Sequence, residues 1–321
     1  MTHSEAAEHA ARLRGLLYLA CPDAPAWAIT STAEAITQHA EEMPHEPVPE
    51  TTGLTRPRPN PDLFETHRLL SRVDLSGADL SRVDLSGADL TGADLSNADL
   101  TGADLTRAKL TRANLIGADL TQAVLTRANL VGAHLFGATL TDANLTDGQL
   151  REANLTHANL ASADLHGASL AKARLPDANL SGANLTYARL TSADLIDANL
   201  SHASLVGARL ADGFLTGADL TGADLTRADL SGANLISANL THANLTSTDL
   251  TGADLTGANL INATLLSATN MRLPVRATWN RETTWPANLV PTIAEYSDEV
   301  SPGVYRVRGG GRSPDRNTIQ V

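Results

Sequence analysis

The chain has 321 residues, only 3% of them aromatic, and carries 36 Asp and Glu against 24 Lys and Arg for a formal charge of −12. Such acidity argues against direct nucleic-acid binding, which uses Lys and Arg to displace counterions from phosphates, and so few rings exclude an ordinary mixed aromatic and aliphatic core. One cysteine, Cys21, leaves no internal disulfide and fits a reducing, cytoplasmic setting; no run reaches the roughly 20 apolar residues of a membrane span, so no membrane association is expected.

Residues 4–20 (SEAAEHAARLRGLLYLA) and about 26–42 are Ala-rich and compatible with two helices separated by CPDAP, so residues 1–43 read as a small α-helical module. Within it, RLRGLLYLAC (12–21) has arginines, a short apolar run and a cysteine. The apolar part, Gly15 to Ala20, is shorter than an export signal requires. Pro44, Pro47, Pro49, Pro57, Pro59 and Pro61 then mark 44–61 as an extended, semi-rigid linker. Residues 62–69 lead into the next region, with Phe64 placed to close its open end.

At residues 71–90 the chain reads SRVDLSGADLSRVDLSGADL, one five-residue phrase in two variants, written twice. Leucine holds every fifth position from Leu70 to Leu265, forty leucines in one register. At 3.6 residues per turn, leucines five apart would spiral round every face of a helix. In a strand of period two they would alternate between faces. A chain that turns a corner once per phrase returns each leucine to the inside, which is a solenoid.

Each place in the phrase then has a reading. Two residues before leucine stands a small side chain, nearly always Ala, with Val73, Val83, Gly148, Gly213 and Thr248 as departures. Leucine and that residue point to one side of an extended segment and make a large-plus-small interior pair. Asp or Asn before leucine, and Ser, Thr and Gly after it, are corner residues that bond local backbone or take unusual dihedrals.

The phrase A(D/N)LXX, sustained over 70–265, resembles the bacterial pentapeptide-repeat family. The resemblance implies an all-β solenoid, a right-handed quadrilateral β-helix with four phrases per coil. Residues 62–269 would then form about ten coils, a rod roughly 45–50 Å long at about 4.8 Å per strand spacing. Charges twenty residues apart do not test this independently. Asp89/Lys109, Arg127/Asp147, Glu152/Lys172, Arg174/Asp194 and Arg209/Asp229 are opposite pairs, but like pairs such as Asp74/Asp94, Asp79/Asp99 and Arg107/Arg127 are more numerous.

Beyond Leu265 the phrase decays. Residues 270–308 carry Trp279, Trp285, Tyr296 and Tyr305 and read as an aromatic C-terminal cap. TTWP followed by PGVYRV is similar to the C-terminal extension of some actinobacterial members of that family. Since relatives often pair end to end, the resemblance implies a homodimer contact there. The glycine-rich end, 309–321, reads as a disordered tail.

No catalytic, cofactor-binding or metal-binding constellation emerges: the histidines lack HExxH spacing and Cys21 lacks a CxxC partner. Repeated surroundings also argue against the differing environments that an acid/base pair needs, so the chain is not expected to be an enzyme. Function is expected on the outside. Asp74, Asp79, Asp84, Asp89, Asp94, Asp99, Asp104 and Asp119 form a candidate acidic face, and Ile116, Val131 and Phe136 a candidate apolar patch, with Ile196 and Ile236 further along the same column. The favoured reading is a non-catalytic scaffold presenting these faces to a protein partner, with the N-terminal module as a second recognition element. The alternative follows from the resemblance: members linked to quinolone resistance look like duplex DNA and bind DNA gyrase, a type II topoisomerase. Lys172, Arg174, Arg189 and Arg209 in mid-rod, and an interior of leucine where those relatives place some Phe, depart from that pattern.

Overall fold

The computed structural model describes residues 70–309. The N-terminal module, the linker, Cys21, Phe64 and residues 310–321 of the tail lie outside the described residues. From Leu70 the chain is one uninterrupted solenoid whose rungs pair in parallel twenty residues apart: Asp74 with Asp94, Asp94 with Asn114, and so on to Asp249 with Thr269. Twenty residues are four phrases, so each coil has four short faces and four corners.

In a mid-rod phrase that follows an Asp or Asn, all five backbone N–H groups find acceptors, which is what lets so short a unit repeat. In the phrase 76–80, Gly77 N–H donates to Ser96 O at 2.8 Å and Leu80 N–H to Asp99 O at 2.7 Å, both on the following coil. Ala78 N–H closes the corner onto Leu75 O at 3.1 Å, and one coil later Asp99 N–H returns to Ala78 O at 2.9 Å. The fifth group, Ser76 N–H, donates to the Asp74 carboxylate at 3.0 Å. That last bond recurs along the rod, for example Thr146 to Asn144, Ser201 to Asn199 and Thr256 to Asp254. Asp and Asn therefore stand before leucine because a short side-chain acceptor is needed there. Where the residue cannot accept, as at Arg174, the phrase can drop the donor instead: residue 176 is proline, which has no N–H.

Each corner sets its third residue at positive φ, the geometry a type II turn requires. Gly137 has φ 64° and Gly217 φ 70°, but Arg72, His157 and Tyr187 sit at 57–60° as well. A left-handed L-residue costs roughly 1–2 kcal/mol, and the inter-coil bond made by that same N–H, such as His157 to Pro176 O at 3.0 Å, holds it there.

The interior is as the leucine register predicts. Leu90 through Leu250 are fully buried, with an alanine beside nearly every one. Thr248 takes an alanine place, also fully buried, and its hydroxyl donates to Leu225 O at 2.8 Å. The five proposed charge pairs divide: Lys109–Asp89 at 3.4 Å and Arg127–Asp147 at 3.5 Å are ion pairs. Like-charged neighbours such as Asp79 and Asp99 still stack by backbone pairing, each carboxylate also accepting from its own corner.

The rod passes directly into a three-stranded sheet. Strand β1 (Thr278–Asn280) is followed by helix α1 (Val290–Glu295) and by strands β2 (Ser297–Ser301) and β3 (Val304–Val307). Sheet order is β1-β3-β2, all antiparallel. Thr278 still bridges Asn259 in the rod and Thr284 bridges Thr264, so the last rung is shared between solenoid and sheet. Trp279 and Trp285 follow those two threonines where leucine would stand, and wide indoles replace isobutyl groups at the end of the lumen. Trp285 is 8% exposed and joins the core with Leu289 and Ile293.

Candidate functional site

With the interior filled, the side chains available to another molecule are those on the faces, corners and ends. The eight candidate acidic residues do not share a face. Asp74 and Asp94 lie on the first, Asp79, Asp99 and Asp119 on the second, Asp84 and Asp104 on the third, and Asp89 on the fourth beside Lys109. Together they form a collar around the first coils. Each accepts the N–H of the residue two ahead, with the Ser76, Ser81, Ser96 and Thr121 hydroxyls adding second bonds at 2.6–2.7 Å. The Ser76 hydroxyl and N–H hold the Asp74 carboxyl below its ordinary range. Asp89 is also lowered: its partial burial opposes the shift, while Thr91 and Lys109 outweigh it. One oxygen of each carboxylate is thus part of the fold, and at Asp89 the other meets Lys109 Nζ.

The apolar candidates are arranged more tightly. Ile116 and Phe136 occupy consecutive rungs of one corner, linked through Gly117 N–H to Phe136 O at 3.0 Å. They are 42% and 43% exposed. The same corner continues through Thr156, Pro176, Ile196 and Thr216 to Ile236, each rung bonded to the next. In the other three corner columns this place is mostly Ser, Thr or Ala. Val131 belongs to the neighbouring corner, across the short face that contains His134, and is half-buried. Phe136 meets the His157 ring edge-on at 5.4 Å, and Tyr187, on a different corner, meets His166 at 5.8 Å. Phe214 was not singled out from sequence. It sits where Asp or Asn usually stands, between the rungs of Ile196 and Ile236, and is 47% exposed. Its signal was available: an aromatic in the acceptor place.

At the far end, Trp279 stacks on Tyr305 at 4.8 Å and meets Trp285 edge-on at 5.9 Å. Trp279 Nε1 donates to Ser297 Oγ at 2.9 Å, whereas buried Trp285 Nε1 has no partner among the described residues. Tyr296 caps α1 and stays outside this ring cluster with its side chain exposed. Among the described residues no group of three or more His, Cys, Asp or Glu could hold a metal, and no helix is long and apolar enough to cross a membrane.

A family model for pentapeptide repeats matches in eight overlapping copies from residue 69 to residue 269. No curated protein matches the chain. Among solved structures, HetL, a pentapeptide repeat protein involved in heterocyst differentiation regulation from the cyanobacterium Nostoc sp. strain PCC 7120, is 41% identical. The match covers 58% of this chain and 84% of HetL, with a TM-score of 0.56. QnrB1, a plasmid-mediated fluoroquinolone resistance protein, is 17% identical over 63% of this chain and 85% of its own, with a TM-score of 0.41. Rfr23 from the cyanobacterium Cyanothece 51142 is 30% identical over 35% and 90%, with a TM-score of 0.34. The relatives imply a right-handed β-helix solenoid, and the chain belongs to the pentapeptide-repeat family.

Proposed function

We propose that the protein is a non-catalytic, cytoplasmic scaffold, a rod of about ten coils closed by residues 270–308, that docks a protein partner along one edge. The observation that carries this reading is the corner column from Ile116 to Ile236, with Phe214 beside it. Isolated surface hydrophobes are ordinary, but four large apolar side chains and a proline recurring in one seven-rung corner column of an otherwise polar rod mark an interaction surface. A solenoid offers a stiff, extended contact with little ordering to lose on binding. The acidic collar adds long-range attraction for a basic partner and influences encounter more than residence.

DNA mimicry at gyrase makes a different demand, that negative charge run along the rod. Arg174, Arg189 and Arg209 interrupt the faces in mid-rod, which favours the edge over the collar. Two assays separate the readings. Purified protein at low micromolar concentration is expected to leave gyrase supercoiling unchanged. Inhibition that disappears on Asp→Lys changes at Asp79, Asp99 and Asp119 would replace the scaffold with the mimic. In quantitative capture from cells that make the protein, Phe136→Asp with Ile196→Asp is expected to deplete specific partners about tenfold or more, a loss of roughly 1.4 kcal/mol. Unchanged capture by that variant would retire the edge. Self-association through the C-terminal region belongs to the same proposal. Light scattering should then give a dimer mass that Tyr296→Asp reduces to the monomer, and a monomer mass for the unaltered chain would remove it.

A further inference from the structure

Resting on the self-association proposed above, we propose its geometry: two copies lie side by side and antiparallel, each applying to the other the face that carries Arg189, Arg209, Asp229 and Asp249. These residues occupy consecutive rungs of one face, two cations followed by two anions. A two-fold axis between the rungs of Arg209 and Asp229 sets Arg209 of each copy against Asp229 of the other, and Arg189 against Asp249. A slip of one rung sets Arg209 or Asp229 against itself, and a parallel pairing matches every charge with its like. Direction and register are therefore both specified. Among the described residues the other three faces hold a single Arg or Lys, Arg174, so none of them can pair with itself in this way.

The charges are not spent within the chain. Arg189 and Arg209 are exposed, and neither makes an ion pair or a side-chain hydrogen bond among the described residues, although Asp229 is on the rung after Arg209. Asp229 and Asp249 bond their own corners through Oδ1, which accepts from Ser231 and from Thr251. Oδ2 of each has no donor among the described residues and is the atom a partner's guanidinium would take. Taken with its two flanking corners, the strip on these four rungs carries Arg189, Arg209 and Arg227 against Asp212, Asp229 and Asp249. It is neutral on a chain of formal charge −12, so two copies repel least there.

The corner that precedes this face adds apolar contact. Tyr187 is 61% exposed and Leu266 56%, and the Tyr187 ring lies over Gly207 of the next coil, with His166 edge-on to it. The register fixed by the charges lays Leu266 of one copy against His166 of the other, beside Tyr187. Exposed apolar surface is thereby covered next to the ion pairs. Beyond Thr284 the C-terminal region falls level with the other copy's Gln149. The docking edge from Ile116 to Ile236 is on the diagonally opposite corner and stays uncovered, so a dimer carries two of them.

Sedimentation velocity on the full chain over a dilution series tests this. Arg189→Glu with Arg209→Glu is expected to raise the dimer Kd at least about tenfold while leaving the rod signal by circular dichroism unchanged. Direction and register are read by cysteine cross-linking in the Cys21→Ser chain. His166 and Leu266 are 100 residues apart, or five rungs. Across the axis each therefore lies about 24 Å along the rod from its own copy, too far for a disulfide. His166→Cys and Leu266→Cys chains should not cross-link alone, whereas their equal mixture should give a dimer-sized product at least about tenfold faster. Cross-linking of either chain with itself, or none in the mixture, would overturn the proposal. A dimer abolished by Tyr296→Asp and untouched by the Arg→Glu pair removes this face and keeps the C-terminal contact. The reverse result keeps the face and removes the Tyr296 contact, and a monomer at every concentration removes both.

Discussion

The rod and the region that follows it solve the same problem by opposite means. From Leu70 to Leu265 identical small units repeat, and every rung covers the one before it with leucine, alanine and backbone hydrogen bonds. From Met271 to Arg308 nothing repeats, and rings, a helix and antiparallel strands do the covering. The difference shows what repetition cannot supply, namely a last rung. A parallel ladder always leaves one edge open, and an open edge invites pairing with another chain. Here β3 runs antiparallel against Thr278–Asn280, and β2 on the outside carries Asp298 and Glu299 with a register shift between Glu299 and Ser301. Charge and irregularity together blunt the new edge.

The contrast can be broken first at mid-rod. Leu160→Ala should destabilise by about 3–5 kcal/mol, because neighbouring rungs cannot collapse into the cavity. Urea unfolding followed by circular dichroism will show whether that loss is transmitted along the solenoid, as nearest-neighbour coupling requires. At the end of the lumen, Trp285→Ala should cost about 3 kcal/mol. Trp285→Phe should stay within about 1 kcal/mol, since it removes the unpartnered buried Nε1–H while leaving a smaller void.

Corners come next. Gly137→Ala meets open space and bears only the left-handed penalty, about 1 kcal/mol. Gly217→Ala places its Cβ against the Asp197 carboxylate of the preceding coil and should cost measurably more in the same unfolding assay. Acid should have the smallest effect. The Thr251 hydroxyl and N–H lower the Asp249 pKa on folding. Its contribution is complete above the unfolded value of about 3.9 and is lost as pH falls through the depressed folded value. Stability near neutral pH should therefore be flat in this respect. Asp249→Asn, which keeps an acceptor for Thr251, should weaken the loss measured between about pH 4 and pH 2.

How much of this could be read from the letters varies with the range of the interaction that fixes each feature. Leucine and alanine positions were legible because burial acts on every phrase alike. Asp and Asn were legible as corner residues, since their bond spans only two positions. Four phrases per coil was not, because period five alone does not say how many corners close a turn; the family resemblance supplied it. Side-chain charges could not decide, as only two of the five opposite pairs meet in ion pairs while like carboxylates stack on adjacent rungs, each bonded to its own corner. The acidic residues looked like a face because successive phrases are adjacent in sequence, whereas in space successive phrases turn ninety degrees apart. Ile116 and Phe136 were found by counting twenty, but Phe214 was overlooked because it occupies the acceptor place rather than the corner. The indole of Trp279 keeps the leucine role one residue early, which hid it from a strict period, whereas Trp285 stands twenty residues after Leu265 and is back in register.

Every conclusion about the outer surface depends on residues twenty apart lying on adjacent rungs. Spin labels at Ile116→Cys and Ile236→Cys in the Cys21→Ser chain measure this directly. Six rungs place the two backbone positions about 29 Å apart at roughly 4.8 Å per rung. A separation near 38 Å, eight rungs of three phrases each, would contradict the coil and dissolve the edge built on it.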